Sequence, residues 1–170
     1  MLAKGAQLTA ARVRTCVSGR LLDHAAVLTA MSGIFVSVFA APPAIADPVN
    51  SLRAAIMQAR GAACAPLRSD PLAEQAADAA NRSVDGWAGL TSPIPPVDDV
   101  KPMMKFLGYR GDKAAIARGA AKIETDAIKS VLLEGHALIP DCAYKDYGVS
   151  VIQDSKIEHQ FLALLVIAGP

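Results

Sequence analysis

The sequence predicts an α+β fold in which helical segments come first and strands close the chain. Three segments, which begin near Pro48, Pro71 and Glu124, place apolar residues or alanines at helical spacing. Two strand-like segments follow, over residues 147–152 and 159–168. Nearly every residue of the second is apolar, which predicts a strand buried on both faces and therefore central in its sheet.

The first 46 residues have the pattern of a secretory signal. Basic residues precede an uncharged apolar run, Ala25 to Ala41, and Ala44-Ile45-Ala46 provides a small-x-small cleavage site. The run is short for a bilayer span, which needs roughly 20 apolar residues. We therefore expect cleavage near Ala46, a secreted or envelope location, and one domain over residues 47–170. An uncleaved membrane anchor is the alternative.

Charge and cysteine content limit the possible partners. Residues 47–170 carry 13 basic and 15 acidic side chains, a net charge of about −2. This is not the basic character of nucleic-acid-binding domains, so we expect no nucleic-acid partner. Cys64 and Cys142 form an even pair in an exported chain, which predicts a disulfide that stabilises the fold by about 4 kcal/mol. A metal or redox pair is the functional alternative, although neither cysteine has a CxxC spacing or a histidine close in sequence.

Turn and cap residues set the expected element boundaries. The first helix should start at Pro48 with Asn50 or Ser51 as a cap, and it should end at Gly61. Ser69 or Asp70 should cap the second helix, which runs to about Val84. We also expect Asp112 to cap the segment 114–121, since this alanine-rich sequence favours a helix.

The segment 86–107 is expected to be mostly irregular, because residues 86–102 contain four prolines and two glycines. A short helix is expected near its end, over residues 101–108. Trp87, the only tryptophan of the chain, could either anchor this segment to the core or form the wall of an apolar groove. Methionine and aromatic side chains suit an adaptable apolar site. The predicted ligand-binding residues are Trp87, Met103, Met104, Phe106 and His136.

Motifs for catalysis, phosphate binding and metal binding are absent from the sequence, including HExxH, GxSxG and a glycine-rich loop. His136 is the one residue that stands out as a possible site, at a helix end with Glu134, Asp141 and Tyr144 close in sequence. The structural alternative is a helix-end residue that caps the last carbonyls. We therefore expect no catalytic residue, no metal site and no cofactor.

Several segments together resemble the CAP superfamily of cysteine-rich secretory, antigen 5 and pathogenesis-related proteins. The segments LRAAIMQARGAACAPL and LRSDPLAEQAADAANRS resemble the opening helices of that family, and AIKSVLLEGHALIPDCAYKDYGVSVI resembles its Gly-His block. More narrowly, the chain looks like the small secreted CAP-like proteins of actinobacteria, mycobacteria especially. The resemblance implies an α-β-α sandwich with an antiparallel sheet flanked by helices, and binding of lipids, sterols or proteins outside cells.

The site of the CAP family is only partly matched. Its cleft holds two histidines and two acidic residues, and only His136 falls on a matching position. Asn81, Arg82 or Ser83 stands where the first histidine is expected. The sequence therefore predicts an exported, non-enzymatic CAP-like domain that binds a lipid or another apolar small molecule. The alternatives are an envelope structural or partner-binding protein without a pocket, and a hydrolase that uses His136.

Overall fold

A computed structural model describes residues 47–154 and 159–170; the predicted signal, 1–46, lies outside them, as do Ser155 and Lys156 of the predicted hairpin connection. The fold combines four helices with a four-stranded sheet. In chain order the elements are α1 (Pro48–Arg60), β1 (Arg68–Ser69), α2 (Pro71–Ala88), α3 (Lys101–Phe106), β2 (Lys113–Ala121), α4 (Glu124–Glu134), a 3₁₀ turn (Gly135–Ala137), β3 (Asp146–Gln153) and β4 (Phe161–Gly169).

The sheet has the strand order β1-β3-β4-β2 and is mixed rather than wholly antiparallel. The three long strands are antiparallel, but the two-residue β1 pairs in parallel with the start of β3, so that Arg68 lies opposite Asp146. The predicted central position of the C-terminal apolar strand is confirmed, because β4 lies between β3 and β2. Its register with β2 runs from Lys113 opposite Gly169 to Ala121 opposite Phe161.

Helices cover both faces of this sheet, and alternate residues of β4 point to the two faces. Leu165 and Ile167 belong to a core cluster with residues of α1 and α4. Leu164 and Val166 belong to a second cluster, with the buried alanines of α2 and with α3. These two clusters explain why β4 is apolar at almost every position.

Local sequence signals position the first two helices. Asp47 caps α1 by accepting a hydrogen bond from the Val49 amide, instead of the predicted Asn50 or Ser51. Asp70 caps α2, as one of the two predicted alternatives, through its contacts with the amides of Leu72 and Ala73. Each helix has a proline in its first turn, where the missing amide hydrogen costs no helical bond.

Two predicted elements differ from the structure. The segment 114–121 is part of strand β2, and Asp112 caps no helix; it forms an ion pair with Lys105 at 2.7 Å. Alanine favours a helix in isolation, but strand pairing with β4 at nine positions, with Ala117 and Gly119 buried, outweighs that preference. Helix α2 continues to Ala88 and therefore includes Gly86 and Trp87, which we expected in an irregular segment.

Candidate functional site

The predicted ligand residues of α3 have three different environments. Met104 is 1% exposed and packs in the core cluster between α2 and β4, so it is a core residue. Met103 is partly buried against the same cluster. Phe106 is 90% exposed. Three of the cavities among the described residues are lined by other residues, without Met103, Met104 or Phe106.

Trp87 lies in the last turn of α2, where it is 45% exposed, so it does not anchor the segment as a buried core residue. Directly after it the chain turns back on the helix. The Gly86 carbonyl accepts hydrogen bonds from the amides of Thr91 at 2.8 Å and Ser92 at 3.0 Å. This turn presents three large exposed side chains within eight residues. We call them the apolar tip: Trp87, Leu90 and Ile94.

Leu90 has an unusual backbone conformation as well as an unusual exposure. Its φ is 53°, in the left-handed region, and its side chain is 92% exposed. Left-handed residues after a helix are normally glycine or asparagine, because a side chain on Cβ crowds the following carbonyl. A leucine here therefore combines backbone strain with an apolar group in water, and neither contributes to folding.

His136 lies in the 3₁₀ turn that follows α4, and it is exposed. Its Nδ1 lies 2.9 Å from the Leu133 carbonyl oxygen, which can only accept, so Nδ1 carries the proton. The neighbouring Glu134 carboxylate accepts from the Arg118 amide at 2.8 Å. The predicted helix-end role of His136 is consistent with this geometry. Within the described part of the chain, no group of three or more His, Cys, Asp or Glu side chains could hold a metal ion.

Asn81 is one of the residues at the position where the CAP pattern has its first histidine, and it is 1% exposed. Its side-chain amide donates to the Leu162 carbonyl at 2.9 Å and to Ser150 Oγ at 3.1 Å. Both bonds join α2 to the sheet. The residue therefore serves the packing of α2, and its polar group is satisfied inside the fold.

The predicted disulfide between Cys64 and Cys142 is confirmed, with a Cα–Cα distance of 5.3 Å. A second, unpredicted clamp lies beside it. The guanidinium of Arg60 is 2% exposed and donates to four backbone carbonyls. The acceptors are Ala65 at 3.3 Å, Ile139 at 2.6 Å, Asp141 at 2.7 Å and Tyr144 at 2.8 Å. The disulfide and Arg60 thus fix the loop between the 3₁₀ turn and β3.

A polar cluster that the sequence did not predict lies where β1 meets the start of β3. Tyr109 donates to Asp146 Oδ2 at 2.8 Å, and Arg68 donates to Asp146 Oδ1 through Nε at 3.0 Å and Nη2 at 2.8 Å. Burial, together with the hydrogen bond and charge of Asp146, raises the pKa of Tyr109. An aspartate that opens a strand of apolar residues is the signal that could have indicated such partners, since a buried carboxylate needs them.

No protein-family model matches the chain, and neither a curated protein nor a solved structure shows significant similarity to it. Among the helices of residues 47–154 and 159–170, none has both the length and the apolar character that a membrane span requires.

Proposed function

We propose that this protein is an exported, non-enzymatic CAP-like domain that binds lipid through the apolar tip formed by Trp87, Leu90 and Ile94. The observation that carries the proposal is Leu90, which is strained in its backbone and almost fully exposed in its side chain. Such costs persist where a function uses them. Transfer of this side chain from water into an acyl phase would be favourable by about 1.5–3 kcal/mol for a leucine.

The composition around the tip favours an uncharged or zwitterionic lipid. Residues 83–100 contain Asp85, Asp98 and Asp99 but no lysine or arginine. Asp98 is paired with Arg118, but no basic side chain of this segment offers a partner to an anionic headgroup, and a neutral interface would accept both the indole and the aliphatic chains. Tryptophan prefers the interface between headgroups and acyl chains, because its ring is apolar and its N–H is polar.

Two further features support the export and the fold that this proposal includes. A disulfide between Cys64 and Cys142 is typical of oxidising compartments. Helices on both faces of the sheet agree with the α-β-α arrangement that the CAP resemblance implies. A hydrolase based on His136 is less well supported, because the ring Nδ1 is engaged by Leu133 and the adjacent Glu134 by Arg118.

The intrinsic fluorescence of Trp87 tests the proposal directly, since no other tryptophan contributes. Addition of phosphatidylcholine vesicles should shift its emission to shorter wavelength, with saturation. The double variant Leu90→Gln/Ile94→Gln keeps the reporter and should weaken binding at least about tenfold. Leu133→Gln is the matched control, because Leu133 is also an exposed leucine but lies on α4.

Native mass spectrometry of protein purified from its own host provides a second, independent measurement. A lipid retained by the native protein and lost in the double variant would support the proposal. An unchanged emission spectrum together with a lipid-free native mass would contradict it, and would favour the alternative of an envelope partner protein that covers the tip.

A further inference from the structure

An open cleft of about 540 Å³ lies at the end of the sheet where β1 and β3 start and β4 ends. It is separate from the apolar tip, since none of the tip residues lines it. Its volume falls within the usual range of small-molecule sites, roughly 300–1,000 Å³. The charged side chains of its lining are Arg68, Arg110, Asp112, Lys145 and Asp146.

The side chains that line the cleft carry a net positive charge once their ion pairs are counted. Asp146 is neutralised by Arg68, and Asp112 is neutralised by Lys105, whose Nζ lies 2.7 Å from the carboxylate. Arg110 and Lys145 remain: within residues 47–154 and 159–170, neither side chain has a hydrogen bond or an ion pair. Two unpaired cations therefore face one cleft, although residues 47–170 as a whole have more acidic than basic side chains.

The backbone beneath Lys145 is fixed on two sides. The Lys145 amide donates to the Ala168 carbonyl at 2.8 Å, and the Lys145 carbonyl accepts from the Arg68 amide at 2.9 Å. Lys145 is thus held between the end of β4 and the start of β1. The backbone of Arg68 is fixed by the same contact, so the backbone positions of these two residues have a defined spacing.

The turn that carries Arg110 is also fixed. Tyr109 is hydrogen-bonded to Asp146, and Lys105 Nζ lies 3.5 Å from the Arg110 carbonyl oxygen. Gly111 packs so closely on the backbone of Gly169 that a side chain there would overlap its carbonyl oxygen. The Arg110 guanidinium therefore extends from a rigid turn, which lowers the entropy cost of binding a ligand.

We propose that this cleft binds a dianionic phosphomonoester group, with Arg110 and Lys145 as its direct ligands; Arg68 lines the same cleft but is already paired with Asp146. Arginine presents a planar fork of donors that matches phosphate oxygens, and lysine adds a compact point charge. A dianion compensates both unpaired charges, whereas a carboxylate compensates one. This proposal is independent of lipid binding at the apolar tip, and either can fail alone.

Nuclear magnetic resonance titration with inorganic phosphate and glycerol phosphate tests the site. Both ligands should shift the amide resonances of Arg110, Gly111 and Lys145 with saturation, and acetate should bind several-fold more weakly. The variant Arg110→Gln/Lys145→Gln should weaken phosphate binding at least about tenfold. Arg82→Gln/Lys129→Gln is the matched control, because it removes one arginine and one lysine from the exposed faces of α2 and α4.

A comparison of soluble ligands with vesicles shows whether the phosphate group belongs to a soluble molecule or to a lipid headgroup. Equal affinity for soluble glycerol phosphate and for vesicles that contain phosphatidic acid assigns a soluble ligand. Binding that requires the vesicle, and that persists in Leu90→Gln/Ile94→Gln, assigns a lipid headgroup. The proposal is wrong if phosphate shows no saturable binding below about 10 mM, or if the double variant binds as tightly as its control. Both replaced side chains lack described partners, so unchanged circular dichroism is expected and keeps the comparison valid.

Discussion

The Tyr109 hydroxyl donates to Asp146 Oδ2 over 2.8 Å, and this bond joins the turn after α3 to the first residue of β3. Arg68 binds the other oxygen of the same carboxylate. Tyr109→Phe removes one of these partners and leaves a buried carboxylate oxygen unpaired. We expect the free energy of unfolding to fall by about 1–2 kcal/mol in urea denaturation. An unchanged value would show that water replaces the hydroxyl.

The same pair predicts a dependence of stability on alkaline pH. Burial first, and then Asp146, raise the pKa of Tyr109, so the folded state favours the protonated phenol. This contribution to stability is complete below a pH of about 10 and is lost as the pH rises above it. The wild-type protein should therefore lose stability with pH more steeply than Tyr109→Phe. Tyr144→Phe must be measured in parallel, since burial also raises the pKa of Tyr144.

Replacement of Arg60 by lysine should destabilise the fold, because the Arg60 guanidinium reaches four carbonyls from a position that is almost fully buried. A lysine ammonium has three donors on a single atom and cannot span the same acceptors. We expect Arg60→Lys to lower the free energy of unfolding by about 3 kcal/mol. Arg82→Lys is the control on the protein surface and should change it by less than about 0.5 kcal/mol. Equal effects of the two variants would contradict the clamp.

Two glycines allow the helices to approach the sheet. A Cβ at Gly148 would overlap backbone atoms of Ala73 in α2, and one at Gly119 would overlap the Ala127 carbonyl oxygen in α4. Backbone cannot move aside as a flexible side chain can, so Gly148→Ala should cost about 3 kcal/mol. Gly86→Ala meets only side-chain atoms, Ser92 Cβ at 3.3 Å and Thr91 Oγ1 at 3.7 Å, and lies within α2. It should change stability by less than about 1 kcal/mol.

The sequence was most informative where local chemistry determines structure. Asp70 and the following proline start α2 by capping, and the all-apolar β4 is buried on both faces wherever it lies in a sheet. Strand β2 was mistaken for a helix, because the burial that overrides alanine's helical preference comes from β4, about 40 residues away in the sequence. Strand β1 has two residues and no pattern of its own.

The candidate sites, like strand β2, depend on contacts that local sequence signals do not determine. Exposure of the apolar tip depends on the turn at Gly86, which the prolines and glycines only partly indicated. The cationic cleft joins residues from positions 68, 110 and 145, which a sequence cannot bring together without the register of β1 with β3. The disulfide was predictable because residues 47–170 contain two cysteines, which allow a single pairing.

Leu90→Gly tests whether the backbone of the apolar tip is strained. Glycine adopts a φ of 53° without steric cost, so the variant should be more stable than the wild type by about 1 kcal/mol. Ala79→Gly is the control: Ala79 is exposed in the middle of α2, and glycine there should lower stability by about 1 kcal/mol. If Leu90→Gly is less stable than the wild type, the leucine side chain makes contacts that its exposure does not indicate.

His136→Ala tests whether the exposed histidine has any role beyond the end of α4. The variant loses the hydrogen bond from Nδ1 to the Leu133 carbonyl, so we expect the free energy of unfolding to fall by about 1 kcal/mol. Binding of phosphatidylcholine vesicles and of phosphate should be unchanged, because His136 belongs to neither the apolar tip nor the cationic cleft. His159→Gln, at the other histidine of the described residues, which is also exposed, controls for nonspecific binding by imidazole. Calorimetry that shows micromolar zinc binding in the wild type and in His159→Gln, but not in His136→Ala, would contradict this view and assign His136 to a metal site.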